Sequence, residues 1–410
     1  MTLTLKIENA TLTGYDAPQT IGIQEGLIAE IAPTSITGAT QSVDIQGKLL
    51  LPSFVDPHLH LDKALLIEKY PAHIGSFQEA LETTAALKRD FTVQDIKNRA
   101  SRVVENAIAF GTTAMRTHVE VDPILQLKSL EALQAVQKEY AWGITIQLCV
   151  FAQEGITNQP GTEDLLRQAL TAGGDLIGSA PYTDSDPAQN NRTVFALAEE
   201  FAYDIDIHLD YLDNSAPMLF PIVVDETIKR GWQNRVCLGH MTRLAGLPPK
   251  ELTRAAVLLR EAGISVLALP ATDLYMMGRK DTHNVRRGIA PVHKLNDMGV
   301  NSAIATNNIQ NLFTPFGDGD PLKNCTLTAQ TLQLGTPTQH TQCLEMATTQ
   351  AAKAIGIHNH TLKVGNPANC VILNTRSASG AISEAPVGRV TLKNGQVVSQ
   401  TDVKKNLIPR

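Results

Sequence analysis

No stretch of the 410 residues approaches the roughly 18 uninterrupted apolar residues that a membrane-spanning helix needs. The opening Met-Thr-Leu-Thr-Leu-Lys lacks a charged head followed by an apolar run, so no secretory leader is expected. Cysteine is sparse. Cys149, Cys237, Cys325, Cys343 and Cys370 are odd in number, scattered and free of CxxC spacing. Reduced thiols in a cytoplasmic protein are therefore expected rather than a disulfide framework. An excess of basic charge is also missing: Lys plus Arg is 35 against 41 for Asp plus Glu, a net charge of −6. Nucleic acid is not an expected partner. Nor is there a low-complexity tract or a short repeat.

What is present has an ordinary globular balance, 43% apolar and 19% charged. Eight short β-like runs recur along the chain: Leu49–His58, Thr112–His118, Thr145–Phe151, Asp175–Ala180, Asp204–Asp210, Arg235–His240, Ser265–Pro270 and Asn301–Thr306. Amphipathic stretches separate most of them. Leu252, Ala255, Ala256 and Leu259 form the i, i+3, i+4, i+7 stripe of a helix packed on one face, with Gly263 where a C-terminal cap belongs. Strands alternating with helices imply parallel pairing, and eight such units predict an α/β fold, a (β/α)₈ TIM barrel, over residues 53–361. A doubly wound open sheet is the rival. It would need a phosphate-binding G-x-G-x-x-G after the first strand, and none is there. The flanks, 1–52 and 362–410, instead alternate with period two and break at glycine. They are expected to pair into one small β-sandwich beside the barrel.

In such a barrel the functional side chains come from the C-terminal ends of strands. Strand one ends in His58-Leu-His60, strand two in His118, strand five in His208 and strand six in His240. Residues two apart in an extended segment face the same side, so His58 and His60 can grip one ion together. A third imidazole from a facing strand completes the three-ligand open site of catalytic zinc. His118 reads as a hydrogen-bonded structural histidine as readily as a ligand.

The series Phe54-Val-Asp-Pro-His58-Leu-His60-Leu-Asp62-Lys63, Arg116-Thr-His118-Val, Phe151-Ala-Gln153-Glu-Gly155, His208-Leu-Asp210 and Gly239-His240 resembles the amidohydrolase superfamily. More narrowly it is similar to the branch of cytosine deaminase and N-isopropylammelide amidohydrolase. Arg286-Arg-Gly-Ile-Ala-Pro-Val and Phe316-Gly-Asp-Gly-Asp resemble that branch too, so the likeness covers almost the whole chain. The resemblance implies one divalent ion, Zn²⁺ or Fe²⁺, at His58, His60 and His208. It sets His240 beside the attacking water and Gln153 and Phe313 against a small-molecule ring, with Lys63 in substrate contact or an ion pair. Relatives with two metals carry a bridging lysine at the end of strand four. Gly178-Ser-Ala-Pro181 has none, which favours one ion. Assembly into a homo-oligomer rests on analogy alone.

Two positions depart from the pattern. Where the family places a strand-eight aspartate that accepts the water's proton, this chain has Asn307, and an amide is no carboxylate base. Where cytosine deaminase has a glutamate three residues after its ligand histidine, this chain has Tyr211. Three accounts stay open at this stage. Proton transfer is rerouted through Asp210, Asp62 or His240; or catalysis is impaired or lost and a small ligand is merely bound; or Asn307 is an engineered substitution. The expected activity is hydrolysis of a non-peptide C–N bond in a small cyclic amidine or amide, most plausibly deamination of a pyrimidine or triazine ring. Ring opening of a cyclic amide is the enzymatic alternative.

Overall fold

In the computed structural model, which describes residues 3–34, 36–211 and 216–408, sixteen strands fall into three sheets. The expected flanking segments thus reach, at residues 1–2, 35 and 409–410, outside the described residues. The first sheet contains β1 (Leu3–Ala10), β2 (Gln19–Gln24), β3 (Leu27–Ala32) and β4 (Ala39–Asp44) in the order β3-β2-β1-β4. Its β1–β4 pair is parallel and the others are antiparallel. Next comes β5 (Leu49–Pro52), which leaves that sheet for another.

The barrel follows as β6 (Phe54–Leu59), β7 (Thr112–Glu120), β8 (Thr145–Phe151), β9 (Leu176–Ser179), β10 (Ile205–Leu209), β11 (Val236–His240), β12 (Ser265–Ala268) and β13 (Ser302–Ile304). These eight pair in parallel and in sequence order. The ring closes just beyond β13. Asn307 N–H donates to the His58 carbonyl and His60 N–H donates to the Asn307 carbonyl, each at 2.9 Å. The seam of the barrel therefore runs through the strand-one histidines. Every residue of β6, β7, β10 and β11 is buried, as expected for strands covered on both faces. Helix Pro249–Glu261 buries the expected Leu252, Ala255, Ala256 and Leu259, and Gly263 follows it at φ +61°.

The remaining strands, β14 (Cys370–Leu373), β15 (Arg389–Lys393) and β16 (Gln396–Thr401), form an antiparallel sheet with β5 in the order β16-β15-β14-β5. Ile7, Ile21, Ile23 and Ile28 from the first sheet share one buried cluster with Leu50, Cys370, Ile372 and Leu392 from this one. The two ends of the chain thus bury each other's apolar faces. All five cysteines are free and buried.

One expected strand is corrected. Leu49–His58 is not a single barrel strand but two strands in different sheets. Leu49–Pro52 pairs with Leu373–Cys370, and Phe54 restarts in the barrel against Thr112. Between them the Ser53 N–H bonds the Asn369 carbonyl, and its hydroxyl shares a 2.5 Å hydrogen bond with Thr113. A run of apolar residues buried on all sides carries no mark of the place where its pairing partner changes.

The carboxyl-terminal sheet is bolted to the barrel by Arg389. Its fully buried guanidinium takes both oxygens of Asp320 at 2.7 Å and donates to the Phe110 and Pro386 carbonyls. Asp320 in turn caps helix Pro321–Leu332. Replacing Arg389 by Met strands a buried carboxylate, so a loss of about 3–5 kcal/mol in unfolding free energy is expected. Denaturant titration measures it. A loss below about 1 kcal/mol would match an exposed surface pair and refute the bolt.

Candidate metal centre

His58 and His60 lie at the end of β6, His208 on β10, and all three are buried. Hydrogen bonds decide which nitrogen of two of these rings carries the proton. His58 Nδ1 lies 3.0 Å from Asp206 Oδ1, and His208 Nδ1 lies 3.3 Å from the Ser179 carbonyl. Carboxylate and carbonyl oxygens accept, so both Nδ1 atoms donate and both Nε2 atoms carry lone pairs. Those lone pairs converge. His58 Nε2 is 3.1 Å from His208 Nε2, and His60 Nε2 is 3.0 Å from the same atom. Burial, with the nearby cations, pushes all three imidazoles well below their ordinary pKa and keeps them neutral. Three neutral imidazoles, two of them oriented lone pair to lone pair, fit a divalent transition-metal cation.

His118 joins them. With His58, His60 and His208 it forms a buried group whose possible ligand atoms all lie within 4.8 Å of one another. Neither of its nitrogens has a hydrogen-bond partner, although Nε2 stands 3.6 Å from Asp206. Close packing of the rings needs a bare backbone beside them: a Cβ on Gly239 would sit 2.9 Å from His58 Cε1. Asp206, which the sequence reading passed over, holds the group from behind by bonding His58 and Arg116 together. Its signal was available, because it lies two residues before His208 on the same strand face.

His240 ends β11 in the left-handed region at φ +71°, an unusual place for a residue with a side chain. Its ring centroid is 5.5 Å from that of His208, and its Nδ1 lies 2.6 Å from Asp273 Oδ1. Asp273, also unforeseen, sits on helix Pro270–Met276 after β12. No spacing in the sequence links it to His240. The Tyr211 ring packs at 4.0 Å on His240, with a buried hydroxyl that has no partner. Asn307 is brought to the centre by its backbone bonds to His58 and His60, and its buried side-chain Oδ1 is unpartnered. Asp210 is not brought in as a free base. Its two oxygens accept the Leu219 and Phe220 amides at 2.8 and 2.9 Å, capping helix Phe220–Lys229.

The three residues expected at the substrate converge as well. Lys63 Nζ donates to Gln153 Oε1 at 3.0 Å and stands 4.9 Å from the Phe313 ring centroid. It also bonds Glu120 at 2.6 Å. Because an ammonium only donates, this bond turns Gln153 so that Nε2, buried and unpartnered, is left for a ligand. Behind Lys63, Lys88 gathers Glu120, Asp122 and Glu154 within 2.8 Å. Burial pushes the Glu120 carboxyl up, but the two ammoniums outweigh it and hold the group down at about 2. Phe77, Tyr182, Tyr211 and Phe313 stack around one another at 5.7–6.1 Å and wall the same end of the barrel with aromatic surface.

The amidohydrolase family model matches residues 84–399. The N-isopropylammelide isopropyl amidohydrolase of Pseudomonas sp. (strain ADP) is 28% identical over 97% of this chain and 98% of that enzyme. The pterin deaminase of Rhizobium rhizogenes is 27% identical over 95% of this chain and 92% of that enzyme. Among solved structures, 5-methylcytosine deaminase from Klebsiella pneumoniae liganded with 5-fluorocytosine gives a TM-score of 0.92 at 28% identity, covering 98% of this chain and 99% of that one. With the family match extending over more than half of its length, the chain belongs to the amidohydrolase family.

Proposed function

We propose that the protein is a metal-dependent amidohydrolase that cleaves a non-peptide C–N bond in a small cyclic amidine or amide. The best-supported form is an aminohydrolase of pyrimidine- or triazine-like rings. The observation that carries the reading is the convergence of the His58 and His208 lone pairs, 3.1 Å apart, with His60 Nε2 3.0 Å from the same His208 atom, beside His240. Relatives named for ammelide, pterin and methylcytosine substrates support the choice of ring. His58, His60 and His208 would hold one Zn²⁺ or Fe²⁺ ion; two-metal relatives use a strand-four lysine that Gly178–Pro181 lacks. The five free thiols suit a reducing cytoplasm.

When bound, the ion supplies an activated water and polarises the target carbon's substituent. The chain's own residues do the rest. Gln153 Nε2 offers donors to an acceptor on the ring edge, and Lys63 fixes that amide. Phe313 and its aromatic neighbours pack the ring face and shut out bulk water. His240 stands where a proton passes from water to the departing amine.

A second reading, a silent relative that only binds a ligand, draws on Asn307 and Tyr211 in place of carboxylates. A panel of aminated rings assayed for ammonia, run beside elemental analysis, separates the two. Ammonia release with bound metal is expected. Metal without turnover of any ring would favour the silent relative.

Two substitutions sharpen the test. His58→Ala is expected to drop bound Zn or Fe, read by elemental analysis, and to lower the melting temperature. An ion present at 1,000 times its Kd stabilises the fold by about 4 kcal/mol. Metal retained at an unchanged melt would contradict the ligand assignment. Asn307→Asp is expected to raise kcat or tighten metal binding, since it restores a carboxylate next to the His58–His60 seam. If neither moves, position 307 takes no part in the chemistry.

A further inference from the structure

The proposed reaction needs a lone pair beside the water, and at position 307 the chain offers only an amide. A buried carboxylate reaches the site from the helix after β12. Asp273 is fully buried and spends one oxygen on each of two neighbours. Oδ1 faces His240 Nδ1 at 2.6 Å, and Oδ2 accepts the Leu269 backbone N–H at 3.1 Å. The second contact fixes the first. Leu269 N–H can only donate, so an amide side chain at 273 would have to turn its oxygen there and its NH₂ toward His240. Only a carboxylate accepts on both sides.

We propose that Asp273 is a positioning residue that locks His240 in the Nδ1–H tautomer, leaving Nε2 as the proton acceptor of the site. This rests on the hydrolytic reading above. The backbone supports it independently. His240 and Met241 both take positive φ, +71° and +49°, and Met241 N–H is held by the Leu209 and Gly239 carbonyls. Such strain persists only where the surroundings impose it, and here it sets the direction of the His240 ring. The ring is further clamped by Tyr211 at 4.0 Å. In the reaction, a water O–H bond breaks and its proton goes to Nε2 while the oxygen bonds the ring carbon. The same proton then leaves Nε2 for the departing nitrogen as the C–N bond breaks. His240 ends neutral, as it began.

The test reads the tautomer without turnover. The zinc-loaded protein, labelled with ¹⁵N-histidine, is examined by long-range ¹H–¹⁵N NMR, and the His240 signals are identified by their loss in His240→Gln. In the wild type, Nδ1 should carry the proton and Nε2 the lone pair. Asp273→Asn should invert this, moving the proton to Nε2, and should lower kcat by ~10²-fold with KM nearly unchanged. A wild-type Nε2–H, or the same tautomer in both proteins, would overturn the proposal. An inverted tautomer with undiminished kcat would overturn the use of the lone pair. If Asp273→Asn does not fold, the wild-type spectrum still decides. Absence of ammonia from every ring would sink the hydrolytic reading instead, and the spectrum would still report the tautomer separately.

Discussion

Two imidazole lone pairs aimed at each other across 3.1 Å repel, and the centre of this barrel holds them there by design of its hydrogen bonds. Asp206 and the Ser179 carbonyl each take an Nδ1–H, so neither ring can turn its proton into the gap. A cation between the nitrogens would relieve that repulsion, and its binding would then add to folding stability as well as to chemistry. Asp206 carries the most of this. It bonds His58, pairs with Arg116 at 3.1 Å and approaches His118, all in a place where an unpaired charge would be costly. The barrel's closure uses the same residues, because its last strand is sewn to His58 and His60 through Asn307.

Around that centre the chemistry is divided between opposite sides of the barrel. The β6–β8 side brings Lys63, Glu120 and Gln153, a buried ion network that ends in one oriented amide. The β11–β12 side brings His240 and Asp273, a histidine whose proton is held away from the centre. Glu120, held down at about 2, offers Lys63 a charged partner 2.6 Å away. Lys63 is thereby a fixed donor that aligns Gln153 and faces the Phe313 ring.

Much of this was legible in the residues, and the illegible parts share a cause. Strand ends could be read because a barrel repeats one unit eight times, and His58, His118, Asp210, His240 and Thr306 close five of the eight runs with a polar residue. The His58–His60 pair could be read because period two puts both on one side. The Leu49–His58 run hid a change of sheet, because burial on every side erases the alternation that marks a partner. Asp210 looked like a base by its distance from His208, yet its oxygens meet two helix amides some ten residues ahead. Asp273 lies 33 residues from His240, and only the packing of the helix after β12 brings them together. Pairings of that kind are made by the fold and leave no period in the sequence.

Asn307 shows how a position can serve a site through its backbone. The backbone there does two things that no neighbour can do: it bonds His58 and His60, and it turns at φ +64° to do so. Asparagine tolerates that left-handed turn better than most residues with a Cβ, which suits it to the seam. Its amide carries no charge and is no carboxylate base next to the strand-one ligands. A barrel whose architecture depended on a strand-eight carboxylate would have come apart at its closing edge. This one closes through main-chain bonds, which leaves the carboxylate free to be supplied from the helix after β12 and delivered through an imidazole. The division of labour follows from the geometry: backbone holds the seam, Asp206 holds the ligands, and Asp273 holds the histidine that faces the reaction.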